Sequence, residues 1–172
     1  MYKRLIIKGT LQEDVRSLAG VPSWMLTLMN KLLKTTGNKY IDDIWKNLEV
    51  YFHGGVSFKP YRNEFNNIIS NKKFKYYEVY NASEGFFGIQ DTNDGRDLLL
   101  MLDYGIFYEF LEISDQKKSE KIIDLSQVKI GVNYSMLITT NSGLWRYKIG
   151  DTVQFTSLDP FRIIISGRTK HF

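Results

Sequence analysis

NLEVYFHGGVSFKPY, from Asn47 to Tyr61, decides the fold. Leu48 to Phe52 is an apolar run of strand length that stops at Gly54 and Gly55, two residues that let the backbone turn sharply. Tyr61, Phe65, Ile68 and Ile69 then fall on one face of a helix over Tyr61 to Ile69, and Phe74 to Val79 returns to strand character. Strand, helix, strand predicts a βαβ unit, and open α/β sheets bind ligands at the carboxyl ends of such strands. Gly54, Gly55, Ser83 and Glu84 are expected at those ends.

Working toward the N-terminus, Met25, Leu28, Met29, Leu32 and Leu33 recur at helical spacing, with Pro22 and Ser23 at the start and Gly37 past the end. The expectation is an amphipathic helix over Pro22 to Lys34. Ile41, Ile44, Trp45 and Leu48 suggest a short second helix leading into the strand. Toward the C-terminus the period changes from helix to strand after Gly88. Candidate strands are Leu98 to Leu102, Phe107 to Ile113, Tyr134 to Thr139, Leu144 to Ile149, Val153 to Ser157 and Phe161 to Ser166, separated by DYG, NSG and DP turns. The fold class expected is α/β, with a βαβ unit over residues 1–88 and a mainly antiparallel, β-rich part over 89–172, packed as a single unit.

Composition removes several functions. With no cysteine among 172 residues there is no disulfide, thiolate nucleophile or cysteine zinc site, and His53 and His171 do not make a metal site by themselves. The run Leu5 to Ile7 after Lys3 and Arg4 is too short for a signal peptide, and Asp103, Gly105, Glu109 and Glu112 interrupt the most apolar stretch, so no membrane span is expected and the cytoplasm is the default. The net charge of +4 suits an anionic ligand. It does not suit nucleic acid, because Lys72, Lys73, Lys75 and the group Lys117, Lys118, Lys121 read as solvated turns rather than a basic stripe.

Two further segments carry chemistry: YNASEGFFG, from Tyr80 to Gly88, and GLWRYKIGD, from Gly143 to Asp151. The first sets a hydroxyl beside a carboxylate, Ser83 and Glu84, which would face opposite ways on a strand and so call for irregular backbone, as Gly85 and Gly88 suggest. The second places Asp151 after a glycine at the end of an aromatic-rich strand. With the Asn47 to Tyr61 block and the final SGRTKHF, Ser166 to Phe172, these segments resemble the nucleotide-binding motifs of adenylate-forming enzymes. The resemblance is to the auxin-responsive, Gretchen Hagen type acyl acid amido synthetases, in particular bacterial members, and covers the chain from about Leu18 onward.

The resemblance implies part of the large N-terminal domain of an adenylate-forming enzyme, with ATP and Mg2+ as cofactors. Tyr80 corresponds to an aromatic beside adenine, Ser83 to a hydroxyl on the α-phosphate, and Glu84 to the carboxylate that holds magnesium. Gly54 and Gly55 correspond to a turn laid along adenine, Asp151 to the acceptor of both ribose hydroxyls, and Arg168 to a group reaching ribose or phosphate. Thr169, Lys170 and His171 occupy the place of a hinge. Trp24, Met25 and Met29 are candidates for an acyl pocket. Without the resemblance, the same residues suit a surface turn at NASEG, a plain glycine turn with a structural His53, a hairpin turn at Asp151, a solvated basic end at Arg168, and a helix core.

The implied reaction makes acyl-AMP from a carboxylic acid and ATP, then an amide with an amino acid. The family's upstream Ser/Thr/Gly-rich phosphate loop and its C-terminal lid domain have no counterpart in these residues. The expectation is a fragment inactive alone. Alternatives are an acyl-CoA ligase-like adenylate-former, or a non-catalytic nucleotide-binding or interaction module.

Overall fold

A computed structural model describes residues 2–92, 95–113 and 118–169. The chain divides into two compact units, Met1–Val79 and Tyr80–Phe172, a boundary earlier than the change after Gly88 expected above.

The first unit contains α1 (Tyr2–Thr10), β1 (Ser17–Gly20), α2 (Pro22–Thr36), a 3-10 turn (Ile41–Asp43), β2 (Val50–His53), α3 (Arg62–Ile68) and the start of β3 (Lys75–Ala82). β1, β2 and β3 run parallel, with Leu18 opposite Tyr51 and Tyr51 opposite Tyr76. The βαβ unit is therefore present as β2, α3 and β3. α1 and β1 were not foreseen. Each is short, and β1 is a strand only through its pairing with β2.

α2 starts with Pro22, where the missing N–H costs nothing, and ends at Gly37, whose φ of 77° lets its N–H reach the Leu33 carbonyl at 2.8 Å. It buries Leu26, Met29 and Leu32 against Ile41, Trp45, Leu48, Tyr51 and Phe65. The stacked rings of Tyr51 and Phe65 lie 5.1 Å apart at the centre. Each such ring contributes about 2–3 kcal/mol by leaving water. The expected second helix is only the 3-10 turn. Asp43 accepts from the Tyr40 N–H, and Asp42 accepts from the backbone and hydroxyl of Ser70, so these acids close a turn and a loop while Trp45 and Leu48 still reach the core.

The second unit is mainly antiparallel, as expected, with one isolated parallel bridge between Ile130 and Phe155. Its strands are β4 (Gly85–Ile89), β5 (Leu98–Leu100), β6 (Ile106–Ile113), β7 (Lys118–Asp124), β8 (Asn133–Thr140), β9 (Tyr147–Leu158) and β10 (Phe161–Arg168), in the order β4-β5-β10-β9-β8-β6-β7. Phe87, Phe110, Tyr134, Met136, Val153, Phe155 and Ile163 form its core, with Phe110 edge-on to Phe155 at 5.1 Å. The two strands expected at Leu144 to Ile149 and Val153 to Ser157 are one. β9 runs through Gly150 and Asp151, because Gly150 takes a φ of 92° and a register shift opposite Ser135 to Leu137 absorbs the irregularity. Lys118 and Lys121 lie on β7, an edge strand, rather than in a turn. Lys117 lies outside the described residues.

Candidate nucleotide site

Asp151 lies within β9, not at a strand end, and pairs in register with Arg168 on β10. Arg168 Nε meets Asp151 Oδ1 at 2.8 Å, and the Tyr80 hydroxyl donates to Asp151 Oδ2 at 2.9 Å. Three residues of the second unit, 17 to 88 positions apart in sequence, thus converge on one carboxylate. The Asp151 side chain is 16% exposed and that of Arg168 73%. Tyr80 is 5% exposed and packs against Phe87 with ring centroids 5.0 Å apart. Burial raises its phenol pKa, and the Asp151 charge adds to that, so the hydroxyl keeps its proton and serves as a donor.

The clasp extends one residue further. Both the N–H and the hydroxyl of Thr169 donate to the Gly150 carbonyl, at 2.7 and 2.9 Å. Lys170 and His171, expected at a hinge, lie outside the described residues, as does Phe172.

Ser83 and Glu84 form the two-residue turn between β3 and β4, so the irregular backbone expected there is present. Gly85 and Gly88 serve β4 instead. A Cβ on Gly85 would lie 2.8 Å from Ile106 Cδ1, and one on Gly88 would lie 3.1 Å from Leu98 Cβ. Ser83 is exposed and Glu84 half-buried. The Glu84 carboxylate acts on the Tyr147 hydroxyl, raising its pKa through hydrogen bonding and charge. Among the described residues no three His, Asp or Glu side chains gather into a metal cage. Glu84 suits a magnesium ion only as a single carboxylate, with phosphate oxygens and water completing the shell, which is how Mg2+ sits at phosphate sites.

Gly54 and Gly55 directly follow β2. A side chain on Gly54 would collide with the Val79 carbonyl, and Gly55 has a φ of 81° with Val21 Cγ2 3.6 Å from a Cβ position. His53 beside them is buried, stacked on Phe58 at 4.2 Å, and its Nδ1 has no hydrogen-bond partner. Burial, with the Arg62 charge second, lowers its pKa to about 4. Of the acyl-pocket candidates, Met29 is fully buried in the first core, Met25 is partly buried with its Cε 3.8 Å from a Cβ position on Gly20, and Trp24 is exposed.

Arg146 and Tyr147 are neighbours in sequence, but only Tyr147 lies on β9. Arg146 instead precedes β9 with a φ of 44° and grips Glu109 on β6 through two hydrogen bonds of 3.0 and 2.9 Å. Glu109 was not foreseen. The hint was a lone carboxylate in the apolar run FYEFL, but its partner 37 residues away depends on strand register.

The family model described as the GH3 family N-terminal domain matches residues 2–74, and that described as the GH3 family central domain matches 99–168. The two matches together span most of the chain, which belongs to the GH3 family, and its fold is the mixed α/β fold of that family's N-terminal domain. A probable indole-3-acetic acid-amido synthetase GH3.9 of Oryza sativa subsp. japonica is 32% identical over 80 residues, covering 45% of this chain and 18% of that protein. The solved AtGH3.15 acyl acid amido synthetase in complex with 2,4-DB superposes on 98% of this chain and 38% of its own, with a TM-score of 0.73 at 17% identity. A 2-hydroxyisobutyryl-CoA ligase in complex with 2-HIB-AMP and CoA superposes on 96% of this chain and 39% of its own, with a TM-score of 0.66 at 16% identity. The chain thus spans less than two fifths of these solved proteins.

Proposed function

We propose that this chain supplies nucleotide-holding groups to an ATP-dependent acyl acid amido synthetase. The reading is carried by Asp151, an acceptor-only carboxylate set between Tyr80 and Arg168, because a carboxylate suits a pair of ribose hydroxyls and adenosine must be fixed for in-line attack. Ser83 donates to the α-phosphate, and Glu84 is the protein ligand for magnesium, which offsets the triphosphate charge when bound. The substrate carboxylate attacks the α-phosphorus and releases pyrophosphate, and an amino acid nitrogen then attacks the acyl carbon and releases AMP. Among the described residues no helix is long and apolar enough to cross a membrane, and we place the reaction in the cytoplasm.

A coenzyme A acceptor is the second reading, favoured by the likeness to the CoA ligase structure. The GH3 family matches favour the amide. The binding test is calorimetry with AMP: Asp151→Ala should lose about 2 to 3 kcal/mol, or about 30- to 150-fold in affinity, as charge-assisted bonds are the strong kind. Equal affinity in variant and parent would remove Asp151 from the site. The reaction is tested by placing this chain in a GH3 enzyme in place of its matching segment, then following AMP release and conjugates by mass spectrometry. Thioesters without amides would select the second reading, and neither product would sink both.

A further inference from the structure

We propose that Tyr80 is a positioning residue for a vicinal diol at Asp151, and that Arg168 is the exchangeable partner which the diol replaces. The inference rests on the nucleotide reading above. The two groups on Asp151 differ in one respect that decides their roles. Tyr80 brings its hydroxyl from the hydrophobic core at 5% exposure, its ring held by Phe87, so it has no other place to go. Arg168 brings Nε from a side chain 73% exposed, where water solvates a released guanidinium.

A carboxylate oxygen has two lone-pair directions, so Oδ2 can keep the Tyr80 bond while accepting another. Oδ1 is occupied by an exposed partner that can leave. With Tyr80 in place, the carboxylate plane is fixed before the ligand arrives, and its rotation need not be arrested on binding. Without the hydroxyl, Asp151 is oriented only by the exposed arginine, and that orientation is lost when the diol displaces it. The Tyr80 hydroxyl touches no ribose oxygen. It acts through Asp151.

The test compares AMP with 2′-deoxy-AMP on the 172-residue chain by NMR titration, reading the ratio of the two affinities rather than either alone. The parent should favour AMP by at least about fivefold, the scale of one hydrogen bond. Tyr80→Phe should bring the ratio below about twofold, while Arg168→Ala should keep it at the parental value. A merely structural role for Tyr80 would weaken both ligands alike and leave the ratio intact. Replacing Tyr80 with 3-fluorotyrosine retains ring and hydroxyl and should retain the ratio, which keeps the test valid if the phenylalanine variant folds poorly. A parental ratio in Tyr80→Phe, or its loss in 3-fluorotyrosine protein or in Arg168→Ala, would overturn this inference alone. No discrimination by the parent would overturn both it and the nucleotide reading.

Discussion

Arg146 holds Glu109 with both ends of its guanidinium fork from a backbone conformation that arginine rarely adopts. The Glu109 side chain is 10% exposed and that of Arg146 is 66%, so a carboxylate near the core is neutralised from the surface. The Thr139 hydroxyl accepts from the Arg146 N–H at 3.0 Å and helps hold the loop in this form.

Removing the arginine therefore leaves Glu109 poorly paired. Arg146→Ala should lower stability by about 2 kcal/mol, the cost of stranding a largely desolvated acceptor, less what nearby water recovers. The double change Arg146→Ala with Glu109→Leu should regain part of that loss, since no carboxylate then remains to be paired. Urea melts of the single and double variants report both. A double variant no more stable than Arg146→Ala would show that the loss does not come from an unpaired Glu109.

His53 gives a pH dependence of definite sign. Its folded pKa of about 4 lies below the ordinary value of 6.5, so the folded state resists protonation. The resulting stability is fully present above pH 6.5 and is lost as pH falls from 6.5 toward 4, by about 3 kcal/mol in all. Asp91, held low by Arg162, loses its own contribution only in more acidic solution. His53→Phe keeps the stacking on Phe58 and cannot titrate. The stability difference between parent and variant should fall over that window, and a flat difference would show that folding leaves the His53 pKa unchanged.

Glu84→Gln preserves shape and removes charge. Two readouts should move together: the Tyr147 phenol pKa should fall back toward its ordinary value, and ATP binding should need more magnesium. Ultraviolet titration against Tyr147→Phe isolates the first, and a magnesium series in the ATP titration gives the second. A shifted Tyr147 with an unchanged magnesium series would return Glu84 to the role of a turn residue.

Local pattern made much of this fold readable. α2 carries its own start at Pro22 and stop at Gly37, and the apolar spacing between them needs no partner to be recognised. The βαβ unit was legible because β2 and α3 differ in period. Strand continuity was not, since Gly150 looks like a stop until β8 and β10 are seen to pair across it. The candidate site divides in the same way. Glycines and a hydroxyl-carboxylate pair announce themselves in the sequence, and Asp151 was named from its motif. That Tyr80 reaches Asp151 across 71 positions, and Arg146 reaches Glu109 across 37, depends on register and on which face each side chain occupies, which no local window contains.

The pairing of Asp151 with Arg168 turns the chain between them into a closed loop of fixed circumference. Every residue from 152 to 167 is committed to β9, β10 or the turn that joins them, with bulges already at Arg162 to Ile163 and Ile165 to Gly167. Extra residues accepted within either strand would move one of the two facing partners to the opposite side of the sheet. Tolerance to insertion should therefore be confined to Asp159 and Pro160, the bend between the strands, which makes that point the natural place for a peptide tag or a circular permutation break.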